Sequence, residues 1–97
     1  KKLAYGGAVS LVVTIDRSSG EIAGQPQIEF QGVAGIDPAN GFAADARAAM
    51  SHAVAAMKSE HIADRGFLKE ALRIALKRFI QKELGTKPVI VTTIVEV

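Results

Sequence analysis

The sequence predicts an α+β domain, a two-layer ββααβ arrangement in which two antiparallel helices cover one face of a three-stranded sheet. Three observations carry this expectation. β-Branched residues dominate Ala8–Asp16 and return between Pro88 and Val97. Between these ends lie two stretches whose apolar residues recur at three- and four-residue intervals. Clusters of Gly, Pro, Asp, Asn and Ser separate the segments, as turn chemistry requires. The strand order remains open.

Residues 1–7 are polar, end in Gly6-Gly7, and read as a linker or the tail of a preceding segment, so the domain spans 8–97. In AVSLVVTID, Val9, Leu11, Val13 and Ile15 share one face of a strand and Ala8, Ser10, Val12 and Thr14 the other. Asp16-Arg17-Ser18-Ser19-Gly20 is a turn, so Glu21–Gln31 returns as the second arm of a hairpin. Gly24 and Pro26 suit an edge strand or a bulge there. Gly32–Asn40 connects to the first helix. Asp37-Pro38 offers an N-cap followed by proline, with Gly41 delaying regular helix to Phe42. That helix runs to about Lys58 and buries Phe42, Ala46, Met50, Ala53, Val54 and Met57.

Ser59–Gly66 is short enough to bring the second helix back antiparallel. This helix is the clearest element, running from an Asp64 N-cap to a Gly85 C-cap with Pro88 forbidding continuation. Leu68, Ala71, Leu72, Ala75, Leu76, Phe79 and Ile80 form its apolar face. The last strand, PVIVTTIVEV, is apolar on both sides: Val89, Val91, Val95 and Val97 on one, Ile90 and Ile94 on the other.

Composition narrows the function. At 97 residues the chain forms one domain with a modest core. The absence of cysteine excludes a disulfide framework and any thiolate ligand or nucleophile. No apolar run approaches the roughly 18 residues of a membrane helix, and a net charge of +2 does not by itself imply a polyanion partner. A start on Lys rather than Met is expected of a segment taken from a longer chain.

Catalytic patterns are sparse. His52 and His61 lie in different elements without H-x-H or H-E-x-x-H spacing, and no serine sits in a G-x-S-x-G setting. Asp16, Glu21, Glu29, Asp37, Asp45 and Glu96 are scattered over strand ends and turns. Neither a phosphate-cradling Walker loop nor G-x-G-x-x-G occurs. Gly32-Val33-Ala34-Gly35 matches GxxG but follows a strand, whereas the RNA-clamping loop of that form joins two helices. No catalytic residue and no metal ligand is therefore assigned.

Two surfaces stand out instead. Lys69, Arg73 and Lys77 stand at i, i+4 and i+8, with Arg78, Lys82 and Lys87 adjoining. The row reads either as a solvated helix face or as a contact to phosphates. On the last strand, Ile90 and Ile94, joined by Val12 of the first, are expected on the uncovered side of the sheet, as a partner surface or a small apolar patch.

Taken together, KKLAYGGAVSLVVTID, SGEI, ADRGFLKEALRIALKRF and TKPVIVTTIVEV resemble the C-terminal domain of ribonuclease J, of the bacterial metallo-β-lactamase and β-CASP family. The resemblance covers nearly the whole chain and is most specific at the first strand with Asp16, around Phe79, and in the closing strand with Glu96-Val97. It departs from the family pattern at Gly32–Gly35 and at Arg65. It implies a parent hydrolase, a zinc-dependent nuclease degrading and processing RNA by exonuclease and endonuclease action in the cytoplasm. The parent's zinc ligands belong to catalytic domains upstream in the same chain, so this segment itself carries no cofactor. The implied role is non-catalytic support of homo-oligomerisation and of the RNA path, with RNA reached through the parent and no membrane involved. The alternative is a stand-alone RNA-binding module using Lys69, Arg73 and Lys77.

Overall fold

The computed structural model describes residues 7–33 and 41–97. Residues 1–6 of the linker expected over residues 1–7, the Asp37-Pro38 helix start and the second half of the GxxG match lie outside the described residues. The elements follow in the order β1 (Ala8–Ile15), β2 (Ile22–Gln31), α1 (Phe42–Ala55), α2 (Ser59–Ala63), α3 (Arg65–Leu84) and β3 (Val89–Glu96). The α+β class and the ββααβ order agree with the expectation, with α2 as an extra turn of helix inside the predicted connection.

Strand order in the sheet is β2-β1-β3. β1 pairs antiparallel with β2 and parallel with β3, so the hairpin comes first and the helices carry the chain over to the other side of β1. The central place of β1 suits its sequence: Val9, Leu11, Val13 and Ile15 are all essentially inaccessible and form the floor of the core. In the hairpin turn the Asp16 carboxylate accepts from the Ser18 backbone N–H at 2.9 Å and from its hydroxyl at 2.7 Å. These two bonds, the hydroxyl first, hold the Asp16 carboxyl below its ordinary pKa.

β2 is an edge strand and carries a bulge. Val12 faces Gln27 while Thr14 faces Ala23, so Val13 alone stands opposite Gly24, Gln25 and Pro26. Gly24 takes φ 70°, a conformation costly for other residues.

The helices close over one face of the sheet. Phe42, Ala46 and Met50 of α1 and Leu68, Leu72, Leu76 and Ile80 of α3 join the four β1 side chains and Ile28 in one core. Phe42 stacks between Phe30 and Phe79, with ring centroids 5.7 and 5.4 Å away, tying β2, α1 and α3 together. α1 begins at Phe42 with Gly41 at its N-cap, and α3 begins where the Asp64 side chain accepts from the Phe67 N–H at 3.1 Å. Gly85 ends α3 at φ 71°, its N–H bonded to the Gln81 carbonyl at 2.9 Å.

The register between β1 and β3 places Ile90, Thr92 and Ile94 beside Val9, Leu11 and Val13, on the helix side. Ile90 and Ile94 pack against the core. This corrects the expected placement of Ile90 and Ile94 on the uncovered face. β3 carries apolar residues on both sides, so its pattern does not decide which side is buried, and pairing with β1 turns the four valines outward. Thr92 is the polar cost of that register. It is 7% exposed, and its hydroxyl has no partner among the described residues. Thr92→Val keeps the branched shape while removing the unpaired hydroxyl, and is expected to raise stability by about 1 kcal/mol. Urea denaturation checks this, and a destabilised variant would show that the hydroxyl is satisfied.

Candidate functional site

The uncovered face of the sheet is its most distinctive surface. From β1 it presents Ala8, Ser10, Val12 and Thr14, and from β3 Val89, Val91, Thr93 and Val95, paired side by side through the parallel register. Val97 continues the column, since its N–H bonds to the Ile15 carbonyl at 2.9 Å and its carbonyl accepts from the Arg17 N–H at 2.9 Å. Val91 is 55% and Val97 66% exposed, and Val89 and Val95 are also exposed, while Val12 is half-buried between its neighbours. Nothing charged stands on the β1 and β3 columns. Gln27, Glu29 and Gln31 of β2 supply a polar border. A shallow hollow of about 340 Å³ opens across this face, lined by Ala8, Ser10, Glu29, Gln31 and Val91, with Val9 at its base.

Of the three residues expected as a patch, then, Val12 stands on this face and Ile90 and Ile94 do not. The four valines were visible in the sequence as one side of the strand. Their exposure was not, because side-chain parity alone does not say which side meets the helices.

The basic row is real as a geometric feature but partly engaged. Lys69 and Lys77 are exposed. Arg73 is half-buried and forms a two-pronged pair with Glu70, its Nε 3.1 Å from Oε1 and its Nη2 against Oε2. The Arg73 hydrogen bond holds the Glu70 carboxyl below its ordinary pKa, and Glu70 in turn raises that of Arg73. One of the three cations is thus already neutralised by its own helix. The other exposed aromatic feature, Phe67 stacked at 4.7 Å on His61, lies at the junction of α2 and α3.

At the far end of β3, the Glu96 carboxylate meets Arg65 Nε at 3.2 Å and Arg17 Nε at 3.8 Å. Arg65 also donates to the Ile62 carbonyl at 2.6 Å, so one arginine links the start of α3, the end of α2 and the last strand. Glu96 lies on the core parity of β3, yet it ends at the sheet rim and reaches these cations without being buried.

Among the described residues, no group of three or more His, Cys, Asp or Glu side chains gathers where a metal ion could be held. His52 is exposed on α1, and His61 is occupied by its stack on Phe67. No helix among the described residues is long and apolar enough to cross a membrane.

These features define a two-layer ββααβ domain whose distinguishing surface is an open sheet face, uncharged along β1 and β3 and bordered by the polar side chains of β2. Residues 1–97, the whole chain, match the family model of the ribonuclease J C-terminal domain, and the chain belongs to that family. It is therefore a ribonuclease-associated domain. A search of curated protein sequences gave no match.

Proposed function

We propose that this domain is a non-catalytic part of a ribonuclease J-type enzyme and holds enzyme subunits together, with a second copy of the domain seated on the open face of its sheet. The observation that carries this reading is the column Val89, Val91, Val95 and Val97, exposed side by side on an edge strand next to Val12. The β1 and β3 columns offer no charge to an RNA backbone or to a charged peptide, whereas a second copy presents the same Val and Thr surface. Two such faces are self-complementary about a two-fold axis, and burying them removes apolar area from water on both sides. The free edge of β3 adds backbone groups that a two-fold mate can pair. In this reading the zinc and the RNA chemistry belong to upstream catalytic domains of a cytoplasmic enzyme, and the present domain positions them by association.

Light scattering over a concentration series tests this directly. The 97-residue chain is expected to gain mass toward that of a dimer as concentration rises, and Val91→Asp with Val95→Asp to remain monomeric with unchanged circular dichroism. The same two substitutions in the intact enzyme should lower its assembly state. An intact enzyme whose mass is unaffected by both carboxylates would overturn the proposal.

A further inference from the structure

A second surface, on the opposite edge of the molecule, has a different chemistry. The groove between α1 and the bulged part of β2 has a volume of about 560 Å³ and is lined by Gln25, Ala44, Arg47, Ala48, Ser51 and His52. We propose that it is a binding site for a phosphoryl group, a tetrahedral oxyanion held by Arg47, Ser51 and His52 of α1 and Gln25 of β2.

Local structure builds the groove from both sides. Ala44, Arg47, Ala48, Ser51 and His52 follow the three- and four-residue spacing that puts them on one face of α1. The two alanines form a low floor, so a ligand can approach between the longer side chains. Across from them, the β2 bulge takes Gln25 out of the regular ladder opposite Val13 and leaves it exposed. Bulges re-aim side chains in this way. Here the bulge depends on Gly24 at φ 70° and is followed by buried Pro26, which has no N–H to return to the ladder.

The donor set is one-sided. Among the described residues, a guanidinium, an imidazole, a hydroxyl and a carboxamide line the groove and no carboxylate does; Asp45, adjacent to Ala44 in sequence, lies off the lining. Arg47 is also unlike the paired arginines. Arg17 and Arg65 meet Glu96 and Arg73 meets Glu70, whereas Arg47, like Arg78 on the far helix, has no ion pair or hydrogen bond to any described residue. An unpaired guanidinium keeps its planar fork available for bidentate contact with an oxyanion. Donors arriving from two elements suit an anion with three or more acceptor oxygens, which favours phosphate over a carboxylate. The groove is open, five of its six lining residues being exposed, which leaves room for a group attached to the phosphate.

Two sources share this chemistry: free phosphate or a phosphomonoester, and the backbone of a single-stranded nucleic acid. Nitrogen-15 NMR titrations of the 97-residue chain at low ionic strength separate them, one with inorganic phosphate and one with a short oligoribonucleotide. The expected result is saturable shifts of the Gln25 side-chain amide, the Ser51 amide and the Arg47 Nε–H with at least one of the two probes. Arg47→Gln, at an exposed position, should weaken that binding about tenfold or more, and Ala48→Glu should abolish it by placing a carboxylate on the floor. Replacing Lys69, Arg73 and Lys77 by Gln should leave the phosphate affinity unchanged. Tighter, salt-sensitive binding of the oligonucleotide through the same residues would assign the site to nucleic acid, and saturation by phosphate alone would assign it to a small phosphate ligand. Shifts that fail to saturate with both probes, that spread evenly over all basic side chains, or that survive Arg47→Gln would overturn the site.

Discussion

Leu72→Ala is expected to lower the unfolding free energy by about 2–5 kcal/mol. Leu72 is completely inaccessible, midway along α3 between Leu68 and Leu76, which are equally buried. The layer it fills is bounded by the β1 side chains below and α1 beside it, so the space left by three lost carbons has no loop to collapse into. A domain of this size has about 5–15 kcal/mol of stability in all, so the variant forfeits a large fraction of it. Its Tm should fall by at least about 10 °C. Ile74→Ala on the same helix is the control, because Ile74 is only partly covered and stands outside the core cluster. It should cost no more than about 1 kcal/mol. Calorimetry or urea denaturation compares the two, and equal losses would mean that α3 packs through a different face.

The second large effect is expected at Gly7. Its φ is 91°, and a methyl group there would stand 2.5 Å from the carbonyl oxygens of both Gln31 and Gly32. The backbone at the start of β1 therefore crosses the end of β2 at a distance only glycine permits. Its own carbonyl accepts from the Val89 N–H at 2.9 Å, so the same residue opens the ladder to β3. Gly7→Ala combines the left-handed penalty of about 1–2 kcal/mol with a backbone clash that no side-chain rotation relieves, for a total of about 3 kcal/mol or more. Gly85→Ala isolates the first contribution. Gly85 has φ 71° but open space around the added methyl, and its loss should stay near about 1 kcal/mol. Similar losses at the two glycines would show that the strands separate easily at this corner.

Gly7 also illustrates what a sequence conceals. In the chain it is the second of two glycines after a polar stretch, which is the ordinary appearance of a linker. Its role arises from the crossing with Gly32, twenty-five positions away in sequence. The groove on α1 escaped for a related reason. Arg47 and Gln25 belong to no sequence motif, and Ser51 and His52 lack the spacing of a nucleophile or a metal ligand. Only the Gly24-Pro26 signal, which did suggest a bulge, hinted that a side chain would be redirected there.

By itself the sequence determined the elements, their order and most of the core. β1 alternates cleanly, α3 repeats leucine every fourth residue between an Asp cap and a Gly stop, and the hairpin turn is written in Asp16, Ser18, Ser19 and Gly20. These are local properties, fixed by backbone preference and by the period of the apolar pattern. Tertiary structure alone decided that β1 is central, that β3 runs parallel to it, and which side of β3 faces the helices. The reason is physical: β3 is apolar on both sides, so burial cannot choose between them, and a strand's register shifts its whole pattern by one residue at a time. Pairing with β1 makes the choice, sending Ile90 and Ile94 inward and leaving the valine column exposed.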